Sequence, residues 1–229
     1  MNDVLGEALT DYYHHRSVGK LWVRNKYGPK EKMPVDVYFR TAEDMPELEW
    51  VALQQCRGRV LDIGAGAGSH ALTLQKMGLD VTALDISPKA VAVMKQRGVE
   101  KVLLQDFFTL EAGGFDTLLL LMNGIGLSGT LGGLRTFFAK ARGLLRPGGW
   151  LVFDSSDIAY LYEGKIPAGA DYYGEILYQY EYKKERSDWF TWLFIDRKTL
   201  AEVAGREGWK VDVLFEDEWG QFLVRCQLR

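Results

Sequence analysis

Val60-Leu61-Asp62-Ile63-Gly64-Ala65-Gly66-Ala67-Gly68-Ser69 decides how the rest of the chain is read. Val60, Leu61 and Ile63 have the apolar character of a short buried strand. Three glycines follow in five positions, and from Ser69 onward apolar residues recur at helical spacing. A strand passing through a glycine-rich turn into a helix is how an open α/β sheet makes a nucleotide site at the carboxyl ends of its strands. Glycine accepts dihedrals that a Cβ forbids and lets the backbone approach a ligand. The helix start presents free N–H groups. Such a turn has low specificity by itself, so its neighbours must assign it.

Downstream, strands and helices alternate. Ala71, Leu72, Leu74 and Met77 mark a helix that stops at Gly78, and Val81 to Leu84 is a second strand ending in Asp85. Ser87-Pro88 reads as an N-cap followed by proline in the first turn. The helix it opens carries Ala90, Val91, Val93 and Met94 and stops near Gly98. Val102 to Leu104 is a third strand, and Phe115 to Met122 a fourth, apolar enough to be buried on both faces. A helix over Leu134 to Leu145, a turn at Arg146-Pro147-Gly148-Gly149 and a fifth strand at Trp150 to Phe153 follow. This rhythm predicts a parallel sheet covered by helices on both faces.

The last third changes character. Tyr178, Tyr180 and Tyr182 share one face of an alternating segment that Lys184 to Asp188 joins to Trp189 to Ile195, an antiparallel hairpin. Asp196 then caps a helix ending at Gly208. Val211 to Phe215 and Gln221 to Leu228 form an antiparallel pair at the sheet edge. Upstream, Val4, Leu5 and Leu9 with Tyr12 and Tyr13 fit a short amphipathic helix, Gly28-Pro29 breaks the chain, and Pro46 opens a helix to about Gln55. The expected fold is a seven-stranded, mostly parallel, doubly wound α/β sheet with an antiparallel C-terminal strand pair, an N-terminal helical cap and an inserted antiparallel hairpin. Residues 1–56 are the cap, contributing to a substrate pocket. Residues 57–229 are the Rossmann-like domain, with the hairpin insertion at about 172–195.

Composition narrows the function classes. A chain of 229 residues, 47% hydrophobic and 26% charged, is an ordinary globular protein. A net charge of −3 gives no global basic field for nucleic acid. Arg16, Lys20, Arg24, Lys26, Lys30 and Lys32 make a local exception, either a solvated face or a lip for an anionic substrate. The longest apolar run, Leu118 to Met122, is too short to span a bilayer. The amino-terminal residues lack the pattern of a targeting peptide. Cys56 and Cys226 stand far apart outside any metal-ligand spacing and read as buried thiols, so no metal is expected. A cytoplasmic setting fits reduced cysteines.

Asp85 stands 21 residues after Gly64, at a strand's carboxyl end, where a carboxylate accepts hydrogen bonds from both ribose hydroxyls. Dinucleotides and S-adenosylmethionine both fit that spacing. A dinucleotide fingerprint, GxGxxG, needs glycine at the place of Ser69, whereas the chain reads GxGxG with Asp62 before it. An acid near the turn suits a ligand with a cationic end better than a pyrophosphate. Here the residues resemble the class I S-adenosylmethionine-dependent methyltransferases over about residues 57–155. Asp62 to Gly68 resembles their first motif and Leu84 to Pro88 their ribose acid with the helix after it. Gln105-Asp106-Phe107 resembles their adenine loop, Met122-Asn123-Gly124 their methionine contact, and Leu144 to Gly149 the turn before the fifth strand.

The resemblance implies S-adenosyl-L-methionine as cofactor, with S-adenosyl-L-homocysteine as product. Asp62 lies beside the turn, while Gly64, Ala65 and Gly66 lay backbone against the cofactor. Asp85 holds the ribose and Ile86 packs on adenine. Asp106 accepts from the adenine amino group and Phe107 covers the ring, against the plainer reading of Phe107 and Phe108 as core aromatics. Asn123 and Gly124 lie near the sulfonium. The chain lacks the (D/N)PP(Y/F) of nucleobase amino-methyltransferases and a Pro-Cys after the fourth strand.

A small-molecule acceptor is the expected substrate, with no membrane partner, nucleic acid disfavoured, and a monomer or homodimer as the assembly. The alternatives are a protein or RNA methyltransferase, an NAD(P)-dependent oxidoreductase or epimerase, and a cofactor-binding module without catalysis. Tyr12, Tyr38, Arg40, Asp154 and Tyr160 are the candidate substrate contacts. No catalytic base stands out. His14, His15 and Tyr13 are candidates, against the plainer reading of surface side chains on a helix.

Overall fold

The computed structural model describes residues 2–16, 19–26, 28–162 and 172–229. In chain order the elements are α1 (Val4–Tyr13), β1 (Leu21–Asn25), β2 (Glu31–Met33), α2 (Glu47–Gln55), β3 (Arg59–Ile63), α3 (Ser69–Lys76), β4 (Asp80–Asp85), α4 (Pro88–Arg97), β5 (Lys101–Leu104), β6 (Phe115–Leu120), α5 (Leu131–Leu144), β7 (Leu145–Ser156), β8 (Glu175–Tyr182), β9 (Glu185–Arg186), β10 (Phe190–Leu193), α6 (Arg197–Arg206), β11 (Trp209–Glu216) and β12 (Gln221–Leu228). A seven-stranded sheet has the order β11-β12-β7-β6-β3-β4-β5. β4 pairs with β5 and β6 with β7 in parallel, while β12 runs antiparallel to both β7 and β11. This is the expected α/β sheet with its antiparallel edge. A second sheet has the order β10-β8-β1-β2, with β9 on β8.

The helices start and stop where local chemistry says they should. The Ser87 hydroxyl accepts from Ala90 N–H, Pro88 occupies the first turn of α4, and Gly98 ends it at φ +95°. Asp196 caps α6 by accepting from Thr199 N–H, and Thr130 caps α5 through Gly133 N–H. In α5 the buried residues Leu134, Phe137, Phe138, Ala141 and Leu144 recur at the spacing of one helical face.

Several boundaries differ from the sequence reading, among them β6, which ends at Leu120 rather than Met122, and α5, which starts at Leu131 rather than Leu134. Pro46 is the extended residue that caps α2 and Glu47 is its first helical residue. β7 starts at Leu145, paired with Phe115, and an irregularity before the Thr117–Trp150 pair absorbs the Pro-Gly-Gly turn. The hairpin closes at Lys183-Lys184, with Lys183 at φ +53°, because Tyr182 already pairs with Glu185. Strands β1 and β2 also lie inside the basic segment that reads as a charged face. Leu21 pairs with both Met33 and Tyr182.

The chain divides into two compact units. The first comprises Met1–Met45, Leu61–Leu110 and Leu177–Phe190. Its cap-side core joins Val4, Ala8, Leu9, Leu21, Val35, Ala67, Ala90, Val93 and Tyr182, with Tyr12, Tyr13, Met33, Tyr38, Phe39 and Tyr180 packed against it. The second comprises Pro46–Val60, Glu111–Ile176 and Thr191–Arg229. There the buried Trp209 ring lies 5.5 Å from Phe138. Cys56 and Cys226 are free, buried thiols. Among the described residues no helix is long and apolar enough to cross a membrane.

Candidate cofactor site

In the first unit, β3 delivers the chain into a turn in which Gly64, Gly66 and Gly68 have φ of +72°, +58° and +84°. Only glycine takes these values without steric cost. Gly64 and Ala65 N–H both donate to Leu84 O, at 2.9 and 3.1 Å, which ties the turn to the end of β4. Asp85 completes the tie. Its Oδ2 accepts from Gly66 N–H and its Oδ1 from Ser87 N–H, each at 2.8 Å. The carboxylate is thus clamped by backbone donors while each oxygen keeps a further lone pair. Burial holds its pKa above the ordinary carboxylate range, against the pull of Ser87 and Gly66.

Ile86 and Leu104, on neighbouring strand ends, are 62% and 54% exposed, an open apolar surface beside Asp85. Asp106 follows β5 and accepts from Phe108 N–H at 2.8 Å, while the Phe107 ring is buried. Asp62 is buried, and burial raises its carboxyl to about 6. Its Oδ2 has no hydrogen-bond partner. A buried polar atom left unpaired is costly and marks a place built for a ligand or water.

Tyr38 faces the turn. A Cβ at Gly66 would stand 3.1 Å from the Tyr38 ring, so glycine spares that ring a small shift in addition to the dihedral cost. The Tyr38 hydroxyl donates to Met33 Sδ at 3.3 Å. Ser69 Oγ donates to Tyr38 O at 2.7 Å, and Arg97 reaches both Ala67 O and Ser69 Oγ. Tyr38 and Tyr180 both feel the Asp85 charge. Burial pushes the Tyr180 phenol up to about 12 and Tyr38 well above its usual value, so both remain protonated donors at neutral pH. Tyr180 belongs to the tyrosine face of the hairpin, whose default reading from sequence is packing.

In the second unit, Met122 and Asn123 follow β6 and are both left-handed at φ +60°. Asn123 N–H donates to Asp154 Oδ1 at 2.8 Å, and Trp192 Nε1 donates to Asn123 O at 3.2 Å. The Trp192 indole fills the space where a Cβ on Gly126 would stand. Both polar atoms of the Asn123 side chain are buried without a partner. Asp154, a candidate substrate contact, is buried, accepts also from Gln221 Nε2, and is raised by burial to about 6.

The other candidates lie as follows. His14 and His15 are exposed beyond the end of α1. Tyr13 donates to Gln96 O at 3.1 Å, Tyr12 stacks near Phe39 with ring centroids 4.7 Å apart, and Arg40 is half-buried. Tyr160 is 68% exposed. Tyr180 and Trp192 carried no site assignment because their positions depend on pairings remote in sequence. The alternation of the hairpin was the only signal for them.

The site is that of a nucleotide-cofactor protein of the α/β class: a glycine turn, a clamped acid at the next strand end and an exposed apolar strip beside it. Comparison with known proteins specifies the cofactor. Residues 61–153 match the family described as methyltransferase domain. A crystal structure of a SAM-dependent methyltransferase from Bacteroides fragilis, in complex with S-adenosyl-L-homocysteine, superposes with a TM-score of 0.92 at 41% identity. That match covers 99% of this chain and 94% of that one. Ubiquinone biosynthesis O-methyltransferases are more distant. That of Bordetella avium is 26% identical over 121 residues, 47% of this chain and 48% of the relative. That of Xanthomonas axonopodis pv. citri is 31% identical over 81 residues, 31% of this chain and 34% of the relative. The chain therefore spans half or less of these curated relatives. The chain belongs to the class I S-adenosylmethionine-dependent methyltransferases, enzymes whose cofactor is S-adenosyl-L-methionine.

Proposed function

We propose that this protein methylates a small-molecule nucleophile. The observation that carries the reading is that Tyr38 stands against Gly66 in the glycine turn and that Tyr38 and Tyr180 both lie near enough to Asp85 to feel its charge. Phenols have an apolar body and a polar tip, which suits contact with a small ligand. The basic segment supports the same choice over a nucleic-acid partner. Arg24 and Lys30 pair with Glu181 and Arg16 with Asp11, so three of its charges are engaged within the chain. The names of the ubiquinone O-methyltransferases favour an oxygen nucleophile, but those matches are short.

The residues present fit the cofactor. Gly66 leaves room beside Tyr38, Asp85 has free lone pairs for the ribose, and Ile86 and Leu104 give a flat apolar rest for adenine. Asp62 Oδ2 and the Asn123 amide are buried polar groups awaiting partners. When bound, the cofactor supplies an electrophilic methyl group on a sulfonium. The chain's part is to hold and orient the reactants and to exclude water, since alignment contributes most to such a displacement. Asp85, Gly64, Ala65 and Gly66 orient the nucleoside end. His14, His15 and Tyr13 remain the candidate bases, and Tyr12, Tyr38, Arg40, Asp154 and Tyr160 the candidate acceptor contacts.

Titration with S-adenosylmethionine, S-adenosylhomocysteine and NAD, followed by a turnover screen of small methyl acceptors, tests the proposal. Binding of the adenosyl compounds with turnover is expected, and binding of NAD alone overturns it. Asp85→Ala is expected to weaken S-adenosylhomocysteine more than about tenfold, the loss of a charge-assisted two-point contact. Unchanged affinity in the folded variant removes Asp85 from the ribose site.

A further inference from the structure

Asp3 stands one residue before α1, yet its carboxylate serves two helices. Oδ1 accepts from Gly6 N–H at 3.0 Å and caps α1. Oδ2 accepts from the Ser87 hydroxyl at 2.7 Å and from Lys89 N–H at 3.2 Å, at the start of α4. Ser87 is itself the cap of α4 and accepts from Ala90 N–H at 2.9 Å. Its own N–H is the donor that clamps Asp85 Oδ1. A continuous chain of hydrogen bonds thus runs from α1 through Asp3, Ser87 and Asp85 to Gly66 in the glycine turn.

Gly6 shows how closely the parts fit. A Cβ there would collide with both carboxylate oxygens of Asp3 and with the Ser87 hydroxyl. Alanine is ordinarily the better helix former by about 1 kcal/mol. The glycine is explained by the approach of α1 to the Asp3–Ser87 bond. A Glu7–Lys89 ion pair lies beside it on the exposed side.

We propose that Asp3 is a positioning residue of the cofactor site, which sets the Ser87 backbone and through it orients the Asp85 carboxylate toward the ribose. α1 is then a working part of the cofactor site as well as a cover. The inference rests on the reading of Asp85 as the ribose acid, and the experiment separates the two.

The test is calorimetric titration of the full chain with S-adenosylhomocysteine and with an analogue lacking both ribose hydroxyls. The variants are Asp3→Ala, Asp85→Ala and the double variant. Asp3→Ala is expected to weaken S-adenosylhomocysteine about three- to tenfold, the range of one orienting hydrogen bond. The analogue's affinity should stay unchanged, and the double variant should bind no more weakly than Asp85→Ala alone. With a methyl acceptor in hand, KM for the cofactor rises and kcat holds. Asp3→Asn has one acceptor oxygen in place of two, so it can serve Gly6 N–H or the Ser87 hydroxyl and Lys89 N–H but not both, and it should recover only part of the affinity. Glu7→Gln, which cuts only the outer ion pair, should change neither ligand. Gly6→Ala should reproduce the loss, and it carries the comparison if Asp3→Ala does not fold.

Equal losses for both ligands, or additive losses in the double variant, would make Asp3 a merely structural cap and overturn the inference. So would an unchanged affinity in Asp3→Ala beside a weakened Asp85→Ala. If Asp85→Ala keeps full affinity, the ribose assignment falls first and takes the inference with it.

Discussion

The turn after β3 bends through glycines, whereas the turn after β6 bends through Met122 and Asn123. Both leave the ordinary backbone regions. Gly64, Gly66 and Gly68 do so at little steric cost. Met122 bears about 1–2 kcal/mol of left-handed strain and Asn123, a residue that tolerates the region better, about 1 kcal/mol. The second turn therefore needs outside support, which Asp154 provides at the Asn123 N–H and Trp192 at its carbonyl. The first turn joins permissive residue types to bonds with Leu84 O and Asp85, while the second, built from residues that resist its shape, is held by partners 31 and 69 positions away. Glycines make a turn that a ligand's backbone contacts can use directly. A strained asparagine keeps a side chain, here one whose amide is buried and unpartnered.

The largest expected effect breaks the glycine turn. In Gly68→Ala the new Cβ would lie 2.8 Å from Val99 Cγ2 and 3.0 Å from Met94 Cγ, at φ +84°. Dihedral cost and overpacking together should destabilise the fold by about 2–4 kcal/mol. In Gly64→Ala nothing stands within 4 Å of the added atom, so only the dihedral cost, about 1–2 kcal/mol, remains. Urea unfolding of both variants gives the difference. Equal losses would show that crowding around Gly68 is absent and that the turn is set by dihedrals alone.

The next effect concerns the support of the second turn and is read through pH. Burial raises the Asp154 carboxyl from 3.8 to about 6. A carboxyl held more protonated in the folded state stabilises it fully below the unfolded value, and that stability is lost as pH rises through about 6. Asp154→Asn removes the titration and keeps an oxygen for the Asn123 N–H. The variant should match the parent near pH 4 and exceed it by about 1–3 kcal/mol at pH 7. Parent and variant stability curves that stay parallel across that window would mean the carboxylate is better solvated than its burial indicates.

The same contrast governs what could be read from sequence. Glycine turn, clamped acid, Ser87-Pro88 cap and strand rhythm are local signals, since each depends on residue types within a few positions. The strands inside the basic segment were invisible because Leu21–Asn25 gains its ladder from β8, some 157 residues on. Asp3 reads as an ordinary N-cap, and nothing near it announces Ser87 as its second partner, 84 positions away. The left-handed Met122 has no sequence mark, because methionine has no preference for that region. Tyr180 and Trp192 wrote only an alternation of aromatics, which packing explains equally well.

The smallest effect on stability is expected at Asn123→Gly, and it separates strain from purpose. Glycine relieves about 1 kcal/mol of left-handed strain but gains a similar amount of freedom in the unfolded chain. The backbone N–H and C=O that meet Asp154 and Trp192 are retained. Net stability should therefore stay within about 0.5 kcal/mol of the parent. If the turn matters only as backbone, S-adenosylhomocysteine will bind the variant as it binds the parent. If the strained residue is kept for its buried amide, affinity falls several-fold with stability unchanged, and the loss vanishes for a ligand that lacks the amino-acid end, such as methylthioadenosine. A loss that persists with methylthioadenosine would place the defect in the shape of the turn and remove the reason for holding an asparagine there.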